Sequence, residues 1–328
     1  MLNFEASMEG IDLLILGSNS AVPLADRSPT AQWLSMCNRR FLIDCGEGTQ
    51  IKMRQHQIGF GRLKHIFISH LHGDHVYGLL PLLTTLHLLD RQQEMHLYGP
   101  PELETLLRES LKLHHARLRF PLVFHPTDPK GRRLMYEDEA LTVDAFPLRH
   151  SLPCFGYLFA EKEKPRHMRK EQIERYEIPV AQIRQIKQGA DYQYQGETIA
   201  NAELTEPARP PLRYAFVTDT APLLELHELL PPVDLLYHEA TFTDEHAERA
   251  SETFHSTAKQ AATVARKIGA QRLLLGHFSV RYRDLAPLRE EAQSIFTPSY
   301  LAEEGCRFQL HHPQAELKIL PPKGLKKD

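Results

Sequence analysis

His70-Leu71-His72-Gly73-Asp74-His75 packs three imidazoles and one carboxylate into six consecutive residues. The run directly follows an apolar stretch, His65–Ser69, that reads as a buried strand. Imidazole nitrogens and a carboxylate oxygen suit zinc, with iron or manganese as alternatives. The glycine lets the loop turn tightly enough for its side chains to converge. The plain alternative is a polar turn that happens to be rich in histidine. It is the weaker reading, because histidine clusters seldom form without a ligand.

Working outward, other candidate ligands fall just after predicted strands. Leu141–Phe146 leads toward His150, Tyr214–Thr218 into Asp219, Leu235–Tyr237 into His238, and Arg272–Leu275 toward His277. In open α/β sheets, binding sites gather at the carboxyl ends of strands. Any one of these residues alone would more often be a satisfied loop group. Four in the same position beside the His70–His75 run point to a shared site. A single zinc with an open position needs only three protein ligands. The surplus therefore predicts two metals, with His70, His72 and His150 on the first, Asp74, His75 and His277 on the second, and Asp219 bridging them.

Further strands are expected at Asp12–Leu16 and Arg40–Ile43, and helices at Val76–Leu89 and Thr257–Ile268, with Ser256 or Thr257 as N-cap. Strands alternating with helices predict an α/β sandwich. The 328 residues are 42% hydrophobic and 25% charged, enough for a sizeable core, and the net charge of -3 argues against a uniformly basic nucleic-acid binder. Glu161–Ala190 differs from the rest, with eight basic against five acidic residues, and reads as a projecting insertion broken by Pro165 and Pro179. Four widely spaced cysteines read as reduced thiols of a cytoplasmic protein. Nothing near the N-terminus resembles a signal peptide, and no apolar run is long enough to span a membrane.

The His-x-His-x-Asp-His pattern with downstream His, Asp and His resembles the metallo-β-lactamase superfamily. That implies an αββα sandwich, a single domain over 1–328. Finer motifs resemble the ribonuclease Z family of tRNA 3′-end endonucleases. These are Leu16-Gly17-Ser18, Asp44-Cys45-Gly46-Glu47-Gly48-Thr49-Gln50, His238-Glu239-Ala240-Thr241-Phe242 and His255-Ser256-Thr257. The charged insertion, at about 158–195, lies where that family carries a protruding flexible arm, an exosite for tRNA. The loop Pro23-Leu24-Ala25-Asp26-Arg27-Ser28 departs from the family's PxKxRN pattern at Ala25 and Ser28. The departure bears on how mature CCA ends are rejected.

The resemblance implies a homodimer with two Zn2+ per subunit that removes 3′ trailers from precursor tRNA, leaving a tRNA 3′-hydroxyl and a 5′-phosphorylated trailer. On this reading Asp74 is the general base and His255 the general acid, with Glu239 orienting it and His238 assisting. Asp44 is expected to bond the backbone of the His70–His75 loop. The main alternative is a small-molecule phosphodiesterase of the same fold. An RNA-binding scaffold without catalysis conflicts with the full ligand set, and a redox di-iron protein would require a further module.

Overall fold

The computed structural model describes residues 10–128 and 130–322. Its first half builds β1 (Ile11–Gly17), β2 (Ala31–Met36), β3 (Arg39–Ile43), β4 (His65–Phe67), β5 (Met95–Gly99) and β6 (Leu122–Pro126), then β7 (Arg133–Glu137), β8 (Leu141–Leu148) and β9 (Cys154–Glu161). Four short strands follow: β10 (His167–Met168), β11 (Tyr192–Tyr194), β12 (Glu197–Ile199) and β13 (Thr205–Glu206). The chain then forms β14 (Arg213–Val217), β15 (Leu235–Glu239), β16 (Leu273–Gly276), β17 (Ser299–Leu301), β18 (Arg307–Leu310) and β19 (Lys318–Leu320).

Two compact units result, Glu161–Pro211 and the remainder of the chain. In the larger unit one sheet runs β19-β18-β1-β2-β3-β4-β5-β6 and the other β17-β16-β15-β14-β9-β8-β7. The strands that end near the histidine motif are parallel to their neighbours, β3 to β6 in one sheet and β14 to β17 in the other.

The inner faces of the two sheets share one core, in which Leu13, Phe41 and Phe67 meet Tyr157, Phe159 and Phe216. Each such side chain contributes about 1.5–3 kcal/mol when buried. The outer faces are covered by helices. Leu79–Leu88 and Glu102–Leu113 pack on the first sheet, and Ala258–Ile268 and Ala286–Gln293 on the second. This is the expected αββα sandwich. No disulfide joins the four cysteines among the described residues, and Cys45, Cys154 and Cys306 are buried. No helix among the described residues is long and apolar enough to cross a membrane.

Local sequence explains the helix ends. Ala258–Ile268 buries Ala258, Ala261, Ala262, Ala265 and Ile268, the one-face spacing of a helix whose small residues allow close contact with a sheet. Thr257, not Ser256, is its N-cap, in a capping box with Gln260, and Gly269 ends it at φ 78°. The helix expected over Val76–Leu89 is instead two pieces, Gly73–Val76 and Leu79–Leu88. Pro81 has no N–H to continue a helix from upstream but is tolerated in a first turn. Gly78 also lies so close to Gly46 that a Cβ there would stand 1.9 Å from the Gly46 carbonyl oxygen. That contact carries the Asp44–Gly46 loop against the histidine motif.

The insertion expected at about 158–195 overlaps the second unit, Glu161–Pro211, in which β10 pairs with β13, His167 opposite Glu206. It is more than a charged excursion, since Tyr176, Ile178, Ile186, Tyr192, Ile199 and Leu204 form a core of its own. Pro179 breaks the chain as read from the sequence and serves as N-cap of the helix Val180–Lys187.

Candidate metal centre

Four strand ends deliver the candidate ligands. β4 stops at Phe67, two residues short of the expected Ser69, and the chain continues into His70. β8 leads to His150. Asp219 follows β14 and His277 follows β16, and both leave their strands with positive φ, 23° and 58°. Such backbone is sparsely populated by non-glycine residues and persists where the surroundings enforce it.

The seven candidates converge in two groups that share Asp219. In the first, His72 Nδ1 lies 3.0 Å from His70 Nε2 and 3.1 Å from His150 Nε2. Asp219 Oδ2 faces this group, 3.6 Å from His70 Nε2 and 3.8 Å from His150 Nε2. In the second, His75 Nε2 and His277 Nε2 are 3.3 Å apart, and each is within 3.4 Å of Asp74 Oδ2. Asp219 Oδ1 faces this group, 3.3 Å from His75 and 3.1 Å from His277. One carboxylate thus presents one oxygen to each group.

Protons alone do not satisfy this arrangement. His72 Nδ1 meets two other ring nitrogens at hydrogen-bonding distance, and a nitrogen can share a proton with only one of them at a time. Burial holds the His70 imidazole well below its ordinary pKa, and burial also lowers His72 and His150. These rings are therefore neutral, the form that binds metal. His75 goes the other way. Burial opposes its proton, but the Asp219, Asp74 and Asp44 carboxylates outweigh burial and raise it well above the usual value. Neutral imidazoles on one side and crowded carboxylates on the other form a donor set that fits a divalent cation in each group.

The outward-facing nitrogens are fixed by other groups. His75 Nδ1 lies 2.7 Å from Asp44 Oδ2, whose other oxygen accepts from the Ser69 backbone N–H. Asp44 was expected to hold loop backbone; it holds the residue before the loop and orients an imidazole inside it. His150 Nδ1 faces the Phe254 carbonyl at 3.2 Å, and His277 Nδ1 faces Thr241 Oγ1 at 3.0 Å. Such partners set the tautomer and aim the ligating nitrogen. Thr241 also donates to Glu239 Oε2 at 2.6 Å. Within the His238–Phe242 segment nothing in the sequence marks Thr241 for this position.

His255 stands beside the two groups. Its Nδ1 is 2.8 Å from Glu239 Oε1, and the Glu239 carboxylate also accepts from the Thr220 N–H at 2.8 Å. Burial works against the His255 proton, but the Glu239 carboxylate overrides it and brings the pKa to about 9. The Glu239 carboxylate thus favours the cationic form of the ring.

His238 does not join the site, contrary to the role expected for it. Parallel pairing on both sides, Val217 opposite His238 and His238 opposite Leu275, extends β15 through Glu239. Alternation along the strand then puts His238 on the face opposite Glu239. It is fully buried, and its Nδ1 lies 2.7 Å from the Glu239 carbonyl oxygen.

His72, Asp74, His150, Asp219, His255 and His277 line a cleft of about 690 Å³, beside the exposed rings of Tyr77 and Phe254. Neither aromatic carries a compositional mark in the sequence, but Tyr77 lies two residues after His75 and Phe254 directly before His255.

A family profile described as anti-Pycsar protein Apyc1 matches residues 11–163. Ribonuclease Z of Parabacteroides distasonis is 47% identical over 304 residues, 92% of this chain and 100% of the relative. Ribonuclease Z of Bacteroides fragilis strain YCH46 is 44% identical over the same shares. Among solved structures, the short form of human tRNase Z superposes with a TM-score of 0.67 at 29% identity, covering 90% of this chain and 98% of that one.

Proposed function

The chain belongs to the ribonuclease Z family, and from that premise we propose that it is a metal-dependent endoribonuclease that removes 3′ trailers from precursor tRNA. The products are a tRNA 3′-hydroxyl and a 5′-phosphorylated trailer. The observation that carries this reading is Asp219, one oxygen facing His70 and His150 and the other facing His75 and His277. We assign two Zn2+ per subunit, the first held by His70, His72 and His150, the second by Asp74, His75 and His277, with Asp219 shared. When bound, the cations acidify a water near neutral pH and neutralise charge that builds on the phosphate.

The protein's own groups divide the remaining work. Asp74 is the general base. Burial works against its charge, but His75 and His277 outweigh burial and hold the carboxyl far below the usual range. It therefore stays ionised and takes a hydrogen bond from the attacking water. The Ala21 N–H donates to Asp74 Oδ2 at 2.8 Å, which fixes the carboxylate's orientation. His255 carries a proton opposite its Glu239-bonded nitrogen, and we assign to that Nε2–H the protonation of the leaving 3′-oxygen. Glu239 is a positioning residue. His238, with no face on the cleft, is left out of the chemistry.

The Glu161–Pro211 unit is the arm, a tRNA exosite whose lysines and arginines displace counterions along the backbone without reading sequence. The active form is a cytoplasmic homodimer. A small-molecule phosphodiesterase, the reading kept open by Ala25 and Ser28, is not favoured, because curated relatives at 42–47% identity are ribonucleases Z.

The test is product mapping. End-labelled precursor tRNA, incubated with the zinc-loaded protein, is expected to be cut once after the discriminator base, with loss of cutting on chelation. Cuts scattered through the tRNA body would overturn the reading. Replacing Glu161–Pro211 by a short linker is expected to lower kcat/KM for precursor tRNA by at least about 10-fold, a loss that added salt imitates. Hydrolysis of methyl p-nitrophenyl phosphate should survive. Equal loss of both activities would show that the unit serves the fold instead.

A further inference from the structure

The cleft that holds the metal centre also exposes two aromatic rings, Tyr77 and Phe254, which are 69% and 41% exposed. Neither ring has a part in the chemistry assigned above, and both are costly to leave in water.

Tyr77 follows the helix Gly73–Val76, and its N–H donates to the Gly73 carbonyl at 2.9 Å. A Cβ on Gly73 would stand 2.3 Å from the Tyr77 ring. The glycine of the histidine motif thus leaves room for this ring to lie against the loop. The ring is supported from behind and open toward the cleft.

Phe254 is held differently. Its φ is 56°, a left-handed conformation that a bulky non-glycine residue rarely adopts, and its carbonyl faces His150 Nδ1 at 3.2 Å. Backbone in this region persists only when the surroundings enforce it, and it gathers at functional sites. An exposed phenylalanine with enforced backbone, one residue before His255, faces the same cleft from the opposite segment of the chain.

The charges of the cleft decide what these rings can do. Among the described residues that line it, none is lysine or arginine, while Glu47 and Glu252 join the carboxylates of the metal centre. The metal charge is engaged by the scissile phosphate. Neighbouring phosphates meet carboxylates, so the strand on either side must be gripped through another part of the nucleotide. Every nucleobase has a π-face, and single-stranded RNA is commonly held by stacking on aromatic side chains.

We propose that Tyr77 and Phe254 form a base-stacking clamp, one ring on the nucleobase at each side of the scissile phosphodiester. The clamp rests on the ribonuclease reading above and deepens it. It sets the strand's register by stacking and accepts any base identity.

Precursor tRNAs with an abasic nucleotide immediately 5′ or 3′ of the scissile bond are the probes, and single-turnover kcat/KM is the readout. For the unaltered protein, each abasic change should cost roughly 5- to 150-fold, the range of stacking on an aromatic side chain. Tyr77→Ala and Phe254→Leu should cost similar factors on the intact precursor, with metal content per chain unchanged. Each variant should then be nearly indifferent to one of the two abasic positions, losing no more than about twofold further, because the stack is already gone. Tyr77→Phe, which keeps the ring, should keep the sensitivity to base removal. Losses that simply multiply at both positions for both variants would overturn the clamp, as would indifference of the unaltered protein to base removal. Failure of the unaltered protein to cut the intact precursor would instead bring down the processing reading and the clamp with it. That result appears before any variant is tested.

Discussion

Asp219→Ala is expected to yield a folded protein that retains fewer than two zinc ions per chain and has lost at least about 10³-fold in phosphodiester hydrolysis. Among the described residues its carboxylate alone is common to the His70–His72–His150 and the Asp74–His75–His277 groups, and it lies within 3.8 Å of four imidazole nitrogens. It is almost wholly buried, at 2% exposure. On the proposed two-cation assignment, removing it would take away a ligand from each cation and the negative charge that balances them. Lewis-acid stabilisation of a developing phosphorane charge is worth several kcal/mol, and each 1.36 kcal/mol is tenfold in rate. Zinc per chain by elemental analysis and turnover on precursor tRNA read the two effects separately. Full occupancy with full activity would refute the shared-ligand assignment.

The second large effect belongs to His255 and Glu239. His255→Ala is expected to lower kcat by roughly 10²–10⁴-fold, the usual contribution of a positioned general acid. Zinc content should hold, since His255 lies outside both ligand groups assigned here. The pH profile separates a proton donor from a structural residue. As the proposed general acid, His255 acts in its protonated form, so activity is expected to fall as pH rises through its pKa. That pKa is about 9 because the Glu239 carboxylate overrides burial, against an ordinary imidazole value of 6.5. Dications bound beside the ring would oppose its proton, so the alkaline limb of the loaded enzyme is expected below about 9. Glu239→Gln removes the attraction and should move that limb to lower pH while lowering kcat. A limb that stays in place in Glu239→Gln, or loss of zinc in His255→Ala, would reassign the pair to supporting the metal centre.

Much of the candidate site was legible in the sequence because its candidate ligands follow strands whose composition is unambiguous. The run Leu-Leu-Leu before Gly276 and His277 can only be buried, and its parallel neighbours bring Asp219 and the end of β15 to the same edge. His238 shows where that logic fails. The apolar run Leu235–Tyr237 stops at Tyr237, but the ladder to β14 and β16 continues through His238, and a one-residue difference puts a side chain on the other face. β2 was missed for a related reason. Gln32 and Ser35 make Ala31–Met36 read as polar, yet the whole strand is buried, with Gln32 Oε1 accepting from the Tyr214 hydroxyl. The helix break before Leu79 depends on Gly78 approaching Gly46, a tertiary contact that no local pattern announces. The groups that aim the imidazoles were illegible for the same reason. The Phe254 carbonyl and the Thr241 hydroxyl act through position, with no compositional mark.

The ratio of kcat/KM for precursor tRNA to kcat/KM for a small phosphodiester, measured on one zinc-loaded preparation, decides between tRNA processing and small-ester hydrolysis. A strong preference for the precursor, lost together with small-ester hydrolysis on chelation, is the result expected of a tRNA 3′-processing endonuclease. Efficient turnover of the small ester with the precursor left intact would contradict it.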